Sequence, residues 1–231
     1  MKTIGILGGM SAASTATYYD RLNAIALERL GGVHSADLLI RSFDFAEIEA
    51  QQEAGDWAAS ARTLAEAATM LELAGAEILL LATNTMHKVA ETITDAVSIP
   101  FLHIADATAA AIRDAGFARP GLMATRYTME QTFYTDQLSA AGLDTVVPVE
   151  ADRALTHQII YDELVKGVVT PDSRLAYEGI AHRLRGAGAD CLILGCTEVG
   201  MLLNEANCPL PVFDTTLIHC ERAMAMALED Q

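Results

Sequence analysis

Two segments of the sequence place hydroxyl, amide, thiol and carboxylate groups directly after strongly apolar runs. The first segment follows the run 78–82 and the second follows the run 191–194. Their members are Thr83, Asn84, Thr85, Cys196, Thr197 and Glu198. Because ligands of open α/β sheets bind beyond the carboxyl ends of the strands, these segments predict a site where a small ligand is bound and exchanges a proton.

The two segments differ in chemistry because one carries a thiol where the other carries a hydroxyl. A free thiol has a pKa of about 8.5, which falls at a helix N-terminus, so Cys196 is predicted to be partly thiolate at neutral pH. The Thr83 hydroxyl is not ionised at that pH, and it needs a base or a water to relay its proton; a helix cap alone is the equally weighted interpretation. The other thiols form no CxxC pattern and favour ordinary buried cysteines. They are Cys191, Cys208 and Cys220.

The elements that must position these residues alternate between short apolar runs and longer helical patterns. Predicted strands cover 3–7, 36–42, 78–82, 100–104, 121–124, 145–149, 191–194 and 212–213. Predicted helices include 57–73, one opened by a capping box at 128–131, one from 171 to about 185, and one from about 216 to 228. Strands buried on both faces that alternate with helices predict an α/β fold with parallel sheets.

An internal repeat divides the chain into two similar halves. Segment 75–85 aligns without a gap with 188–198 at an offset of 113, and segment 5–7 aligns with 121–123 at an offset of 116. We therefore predict two pseudo-symmetric α/β halves, 1–98 completed by 212–231 and 99–211, with the active site in the cleft between them. Thr83 and Cys196 become equivalent positions that are expected to face one ligand from two sides.

Three motifs resemble the aspartate/glutamate racemase family. They are Ala-Thr-Asn-Thr-Met-His at 82–87, Leu-Gly-Cys-Thr-Glu at 194–198 and Ile-Gly-Ile-Leu-Gly-Gly-Met-Ser at 4–11, and the resemblance spans the whole chain. It implies a cofactor-independent racemase for small amino acids with acidic or similar side chains. In such enzymes two cysteines flank the α-carbon, one thiolate removing its proton and the other thiol delivering a proton to the opposite face.

Three departures accompany this resemblance. Gly8-Gly9 and Glu198 stand where the glutamate racemases of the cell-wall pathway carry Asp-Ser and His, which favours the aspartate-racemase branch. Thr83 stands where the family has its first catalytic cysteine. We therefore expect proton transfer on the Cys196 face to persist and proton transfer on the Thr83 face to be slow.

The resemblance also implies substrate-binding residues around the catalytic pair Thr83 and Cys196. These are Gly9, Met10, Asn84, Thr85, Thr125, Thr128, Lys166, Thr197 and Glu198. Residues with hydroxyl or amide side chains after strands keep a second interpretation as helix caps. Glu198 either tunes or deprotonates Cys196 or only adds favourable charge to a helix N-terminus. Arg41 and Lys166 are alternative partners of the substrate carboxylate or solvated charges, and His87 either orients the site or is an ordinary imidazole.

The composition excludes several classes of protein. The chain has 231 residues, 52% of them hydrophobic, and a formal net charge of −16, which predicts a packed core and disfavours nucleic acid and anionic membranes as partners. No apolar run approaches the roughly 18 residues of a membrane span, so we expect a soluble, cytoplasmic protein. We expect no cofactor and no metal, because Gly8-Gly9 does not complete a GxGxxG motif and the histidines are scattered. The expected partner is a small amino acid, and the resemblance implies a homodimer.

Two other functions stay open. A decarboxylase of malonate-type acids in the same superfamily works with a single cysteine at the position of Cys196, which protonates an enolate after carbon dioxide leaves. A catalytically degenerate protein would keep the cleft and bind a carboxylate or an amino acid without turnover. The pairs Asn84-Thr85 and Thr197-Glu198 favour the amino-acid branch over the decarboxylase.

Overall fold

The computed structural model describes residues 1–229, which form an α/β protein with two parallel sheets. Its strands are Ile4–Gly8 (β1), Leu38–Ser42 (β2), Ile78–Leu81 (β3), Phe101–Leu102 (β4), Pro120–Ala124 (β5), Cys191–Gly195 (β6) and Val212–Asp214 (β7). Its α-helices are Ala12–Leu30 (α1), Phe45–Ala54 (α2), Trp57–Leu73 (α3), Ala90–Asp95 (α4), Ile104–Asp114 (α5), Arg126–Glu130 (α6), Thr132–Ala140 (α7), Glu150–Asp162 (α8), Pro171–Gly186 (α9) and Thr215–Leu228 (α10). Three short 3₁₀ helices cover Thr85–Val89, Leu164–Lys166 and Val199–Met201.

The internal contacts divide the chain into two compact units. The first unit is Met1–His103 together with the chain from His219 onward, and the second is Ile104–Ile218. A unit defined by contacts is not necessarily a domain that folds alone, so the domain boundaries at 98/99 and 211/212 stay a prediction. No helix among residues 1–229 combines the length and the apolar composition that crossing a bilayer requires.

The first unit is built on the parallel sheet β2-β1-β3-β4. The central strands β1 and β3 are buried along their whole length, as expected when helices cover both faces of a parallel sheet. The apolar face of α3 packs against one side of this sheet, where Leu64 of the helix joins Leu7 and Leu79 in one buried cluster. β2 lies at the edge and is more exposed.

The second unit is built on the parallel sheet β5-β6-β7. Side chains alternate along β6: Leu192 and Leu194 pack with α8 and α9, whereas Cys191 and Ile193 pack with α5 and α7. Beyond β5, Val146 forms a single parallel bridge with Gly121. The sequence 145–149 was predicted to be a strand, and this is wrong, because the pairing extends no further than this one residue.

The two sheets repeat the same register, which confirms the internal repeat. Ile4 of β1 pairs with Ile78 of β3, and the equivalent residues in the second unit, Pro120 and Cys191, pair in the same way. The β6–β7 pairing likewise repeats the β3–β4 pairing. The loops that follow β3 and β6 are therefore equivalent in the two units.

Local sequence accounts for several helix ends. Gly31 ends α1 with a positive φ of 72°, and Thr170 caps α9, which begins with a proline, as predicted. The capping box predicted at 128–131 is wrong. Thr125 is the N-cap of α6, its Oγ1 accepts a hydrogen bond from the Thr128 N–H, and Thr128 lies inside the helix. α2 and α8 have no counterpart among the predicted helices.

Candidate functional site

In the first unit, the loops after β1 and β3 lie at one edge of the sheet because these strands are parallel neighbours. The first turn of α1 ties both loops down. The Gly9 N–H donates to Thr15 Oγ1 (2.7 Å), and the Ser14 hydroxyl donates to the carbonyl oxygen of Ala82 (3.1 Å). The candidate residues Gly9 and Met10 are thereby held beside the segment that begins at Thr83, and both are buried.

Glycine is required at position 9 by both conformation and space. Its φ is +88°, and a Cβ there would lie 2.3 Å from the backbone N and O of Phe43. Phe43 follows β2, and its N–H donates to the Gly8 carbonyl oxygen (3.0 Å). The close approach of the Phe43 backbone thus explains Gly9, and a Cβ at Gly8 would lie 2.6 Å from the Thr15 side chain, so packing explains both glycines without any nucleotide phosphate.

The segment after β3 leads into the 3₁₀ helix Thr85–Val89, which α4 follows directly. Thr83 is half-buried, whereas Asn84 and Thr85 are buried. Asn84 occupies the N-cap position of Thr85–Val89 and makes no side-chain capping bond there. The interpretation of Asn84 as a helix cap is therefore wrong, and Asn84 and Thr85 are two buried polar side chains beside the half-buried Thr83.

His87 holds the backbone of Thr83. Its Nδ1 lies 2.8 Å from the Thr83 carbonyl oxygen, and because a carbonyl only accepts, Nδ1 carries the proton. Burial lowers the pKa of His87 well below its ordinary value, and its electrostatic interactions with His103 and His219 lower it further. A neutral His87 thus orients the loop, and its Nδ1 is not available to take a proton from the Thr83 hydroxyl.

Gln52 is a buried polar residue that the sequence interpretation missed. Its Nε2 lies 3.0 Å from Met86 Sδ, directly after the Thr83–Thr85 segment, and only 4% of the residue is exposed. A buried amide on α2 next to this loop is a further candidate for substrate contact. The sequence does not predict α2, and without this helix nothing in the sequence brings position 52 near position 86. Gln52 was therefore not among the candidate residues.

In the second unit, Cys196, Thr197 and Glu198 follow β6. The Cys196 thiol donates to Glu198 Oε2 (2.9 Å), and the Thr197 hydroxyl donates to the same oxygen (2.8 Å). Glu198 is 5% exposed, whereas the other two residues are half-buried. Thr197 is thus a carboxylate partner and not a helix cap.

The predicted partial ionisation of Cys196 is wrong. Burial raises the pKa of the Cys196 thiol well above its ordinary value, and the charge and hydrogen bond of Glu198 raise it further. The expected helix dipole is missing, because only the three-residue 3₁₀ helix Val199–Met201 follows. The resting structure therefore holds a protonated thiol against a carboxylate that is positioned to receive its proton.

Thr125 and Thr128 lie at the same edge of the second sheet. Ala124 of β5 pairs with Gly195 of β6, so Thr125 and Cys196 follow paired residues on neighbouring strands. Both threonines are buried, and their hydroxyl oxygens are 3.2 Å apart.

The two candidate cations are both exposed. Lys166 ends the 3₁₀ helix Leu164–Lys166 in the second unit. Arg41 lies in β2 of the first unit, with its guanidinium carbon 4.6 Å from the centre of the Phe43 ring. Among residues 1–229, no group of three or more His, Cys, Asp or Glu side chains has an arrangement that would hold a metal ion.

Comparisons with known proteins settle the family. The model of the Asp/Glu/hydantoin racemase family matches residues 7–223. The chain belongs to this family. A Yersinia pestis structure with a provisional Asp/Glu racemase description is 45% identical over 99% of this chain and 100% of its own, with a TM-score of 0.92. An aspartate racemase homologue from Pyrococcus horikoshii is 32% identical over 98% and 99% of the two chains, with a TM-score of 0.86. The broad specificity amino-acid racemase of Bacillus subtilis is 23% identical over 92% of both.

The match to the family model includes every candidate residue, since all of them lie between 7 and 223. The repeated register makes the loops after β3 and β6 equivalent segments of the two units. One of them presents a hydroxyl and the other a thiol bound to a carboxylate.

Proposed function

We propose that the protein is a cofactor-independent racemase of aspartate- or glutamate-like amino acids that treats the two faces of the α-carbon unequally. The observation that carries this proposal is the hydrogen bond between the Cys196 thiol and Glu198 at the end of β6. It supplies an acid/base pair in the segment that the repeat makes equivalent to the Thr83 loop. The broad specificity of the Bacillus subtilis relative supports a substrate range beyond a single amino acid.

On the Cys196 face, the proton moves in two steps. Glu198 Oε2 accepts the thiol proton, which leaves a thiolate and a carboxylic acid. The thiolate then takes the α-proton, and the α-carbon becomes a carbanion delocalised into the substrate carboxylate. Because its pKa is raised, the thiolate is a stronger base once formed, and the neutral thiol is the stable form for returning a proton.

On the Thr83 face, a hydroxyl replaces the second thiol. A hydroxyl of this kind is a far weaker acid than a thiol, so proton transfer there depends on a relay. Nδ1 of His87 does not provide it, since that atom donates to the Thr83 carbonyl oxygen. We therefore expect slower proton transfer on this face.

The substrate contacts belong to the same proposal. Buried hydroxyl, amide and backbone groups after the strands bind the substrate carboxylates and ammonium, and Lys166 or Arg41 binds the side-chain carboxylate. The contact residues are Gly9, Met10, Asn84, Thr85, Thr125, Thr128, Lys166, Thr197 and Glu198. A homodimer and a cytoplasmic location stay predictions.

The second candidate function is decarboxylation of a malonate-type acid. The protonated state of Cys196 favours it, because a thiol held neutral is suited to protonating an enolate after carbon dioxide leaves. Only one thiol is needed for that reaction, so Thr83 would not impair it.

The deciding experiment follows each enantiomer of aspartate and glutamate in heavy water by proton NMR and chiral chromatography. We expect the enantiomer whose α-proton faces Cys196 to gain deuterium faster than the other and faster than it inverts. Thr83→Cys should raise inversion, and Cys196→Ser should lower turnover by about 10²–10⁴-fold or more. Cys208→Ser, a half-buried thiol elsewhere, is the matched control.

Several outcomes would contradict the proposal. Equal deuteration of both enantiomers together with no gain in Thr83→Cys would exclude the one-thiol model. A Cys196→Ser protein with more than about a tenth of the wild-type kcat would exclude Cys196 as the acid/base. Release of carbon dioxide from malonate-type acids without exchange on amino acids would establish the decarboxylase instead, and binding without either reaction would establish a degenerate binding protein.

A further inference from the structure

A cavity of about 470 Å³ lies in the second unit beside the segment 196–198. It is bordered by β6, β7, α5, α10 and the turn after Val199–Met201, and its wall is mostly apolar, with Leu203, Phe213 and Leu217 among its members. Leu194 and Gly200 also line the cavity, so residues that precede and residues that follow the segment 196–198 contribute to its wall. None of the residues 196–198 is among the described residues that line it.

One carboxylate is fixed in this apolar wall. Asp214 Oδ1 accepts hydrogen bonds from the backbone N–H groups of Thr216 (2.8 Å) and Leu217 (3.1 Å) at the start of α10. Oδ2 points toward Gly200, because a Cβ added there would lie 3.0 Å from it. Both Asp214 and Gly200 line the cavity, so this carboxylate belongs to its wall.

The charge of the cavity is one-sided. Glu205 contributes a second carboxylate at an exposed position, and neither lysine nor arginine occurs among the described residues of the lining. Burial raises the pKa of Asp214, which means that its two backbone hydrogen bonds do not fully compensate the loss of water. A ligand cation would supply the missing compensation, whereas an anion would be repelled.

We propose that this cavity is a second small-molecule site, which binds a primary ammonium that carries an apolar chain or ring. The ammonium lies against Asp214 Oδ2, and the apolar body lies among Leu203, Phe213 and Leu217. The volume is in the range of ordinary ligand pockets. The proposal does not rest on the racemase chemistry, because binding is measured without turnover. The charge of Asp214 also acts on the Cys196 thiol, so the cavity and the Cys196 segment share this carboxylate's field.

The test uses n-hexylammonium and its neutral isostere 1-hexanol in calorimetric titrations of the full-length protein. Asp214→Asn removes the charge and keeps an oxygen that accepts the two backbone bonds, and Leu217→Trp fills the cavity from a position that is 41% exposed. The matched controls are Asp20→Asn and Leu175→Trp, at exposed positions that do not line the cavity. We expect 1-hexanol to bind wild type at least about 10-fold more weakly than hexylammonium does, as expected for a lost charged contact. We also expect hexylammonium to bind Asp214→Asn and Leu217→Trp at least about 10-fold more weakly than it binds wild type.

Three results would overturn this proposal. One is equal binding of 1-hexanol and hexylammonium to wild type. Another is wild-type affinity for hexylammonium in either Asp214→Asn or Leu217→Trp. The third is the absence of saturable binding up to about 10 mM, since fragments of this size reach millimolar affinity in a suitable pocket.

Discussion

At the scale of single residues, the most consequential contact is the one between the Cys196 thiol and Glu198. A carboxylate at hydrogen-bond distance opposes ionisation of the thiol, and it also offers the nearest place for the thiol proton to go. The same contact therefore keeps the resting population of Cys196 thiolate low. It also means that the thiolate forms by transfer of one proton over a short distance, from the thiol to Glu198. This combination suits a group that has to act alternately as base and as acid.

Removing either nearby carboxylate should make the Cys196 thiol easier to ionise. Glu198 acts on it by charge and by hydrogen bond, whereas Asp214 acts by charge alone and more weakly. We expect the midpoint of iodoacetamide alkylation to move to lower pH in both Glu198→Gln and Asp214→Asn, with the larger shift in Glu198→Gln. Burial should keep both midpoints above that of a free thiol.

This alkylation is followed by mass spectrometry of the peptide that contains Cys196. Cys208 is half-buried, and neither carboxylate is among the groups that shift its pKa, so it provides the internal control in the same samples. An unchanged midpoint in Glu198→Gln would mean that the thiol is not bonded to this carboxylate in solution.

The sequence was sufficient to place Cys196, Glu198 and Thr83 directly after strands but not to predict the protonation of the Cys196 thiol. The types of these residues and their positions after strands are visible in the sequence, and the internal repeat pairs them. The pKa of the thiol depends on burial and on whether a helix follows, and both are consequences of tertiary packing. Gln52 was missed for the same reason, because its place near Met86 depends on how α2 packs.

At the scale of elements, the strands were predicted better than the helices that follow them. A buried parallel strand reads as a continuous apolar run, so β1, β3 and β6 were found within one residue at either end. The 3₁₀ helices after β3 and β6 have no comparable pattern, because they contain too few residues for a helical period to emerge. The single bridge at Val146 shows the converse error, where apolar character alone was interpreted as a strand.

The loop after β1 makes a prediction at this scale. Gly9→Ala should destabilise the protein by the cost of a positive φ, about 1–2 kcal/mol, plus about 1–3 kcal/mol for overpacking against the Phe43 backbone. Gly55→Ala is the matched control, because Gly55 also has a positive φ, +69°, but has nothing within 4 Å of the added Cβ. Urea unfolding of both variants separates the two costs, and equal destabilisation would contradict the close approach.

At the scale of the whole molecule, charge and packing have separate roles. The formal net charge of −16 is spread over mostly exposed carboxylates, so it predicts weak association with polyanions and does not determine the fold. The core instead determines the fold, through two sheets whose registers repeat along the chain. Family membership, shown by a match from 7 to 223, confirms the sequence resemblance.

Stability should also respond to pH through histidines buried in the first unit. His219 is fully buried, its Nε2–H donates to the Leu102 carbonyl oxygen (2.9 Å) and its Nδ1 accepts from the Tyr18 hydroxyl (2.7 Å), so both ring nitrogens are satisfied in the neutral form. Burial lowers the pKa of His219 to about 4, and it lowers the pKa of His87 well below its ordinary value.

Below a pH of about 6.5 these histidines bind protons in the unfolded chain but stay neutral in the folded protein. The histidines' contribution to the free energy of unfolding should therefore be fully present above that pH. It should fall as the pH drops from about 6.5 to about 4, by up to about 1.4 kcal/mol per pH unit for each histidine. In His219→Gln, the amide can still donate to Leu102 and accept from Tyr18. Urea unfolding between pH 7.5 and 4.5 should give a free energy of unfolding whose dependence on pH is weaker than in wild type, by the equivalent of about one bound proton. His34→Gln, the same substitution at an exposed position, is the matched control. If His219→Gln and wild type lose stability in parallel as the pH falls, then His219 is not neutral in the folded protein, and the buried hydrogen bonds to Leu102 and Tyr18 do not hold it in that form.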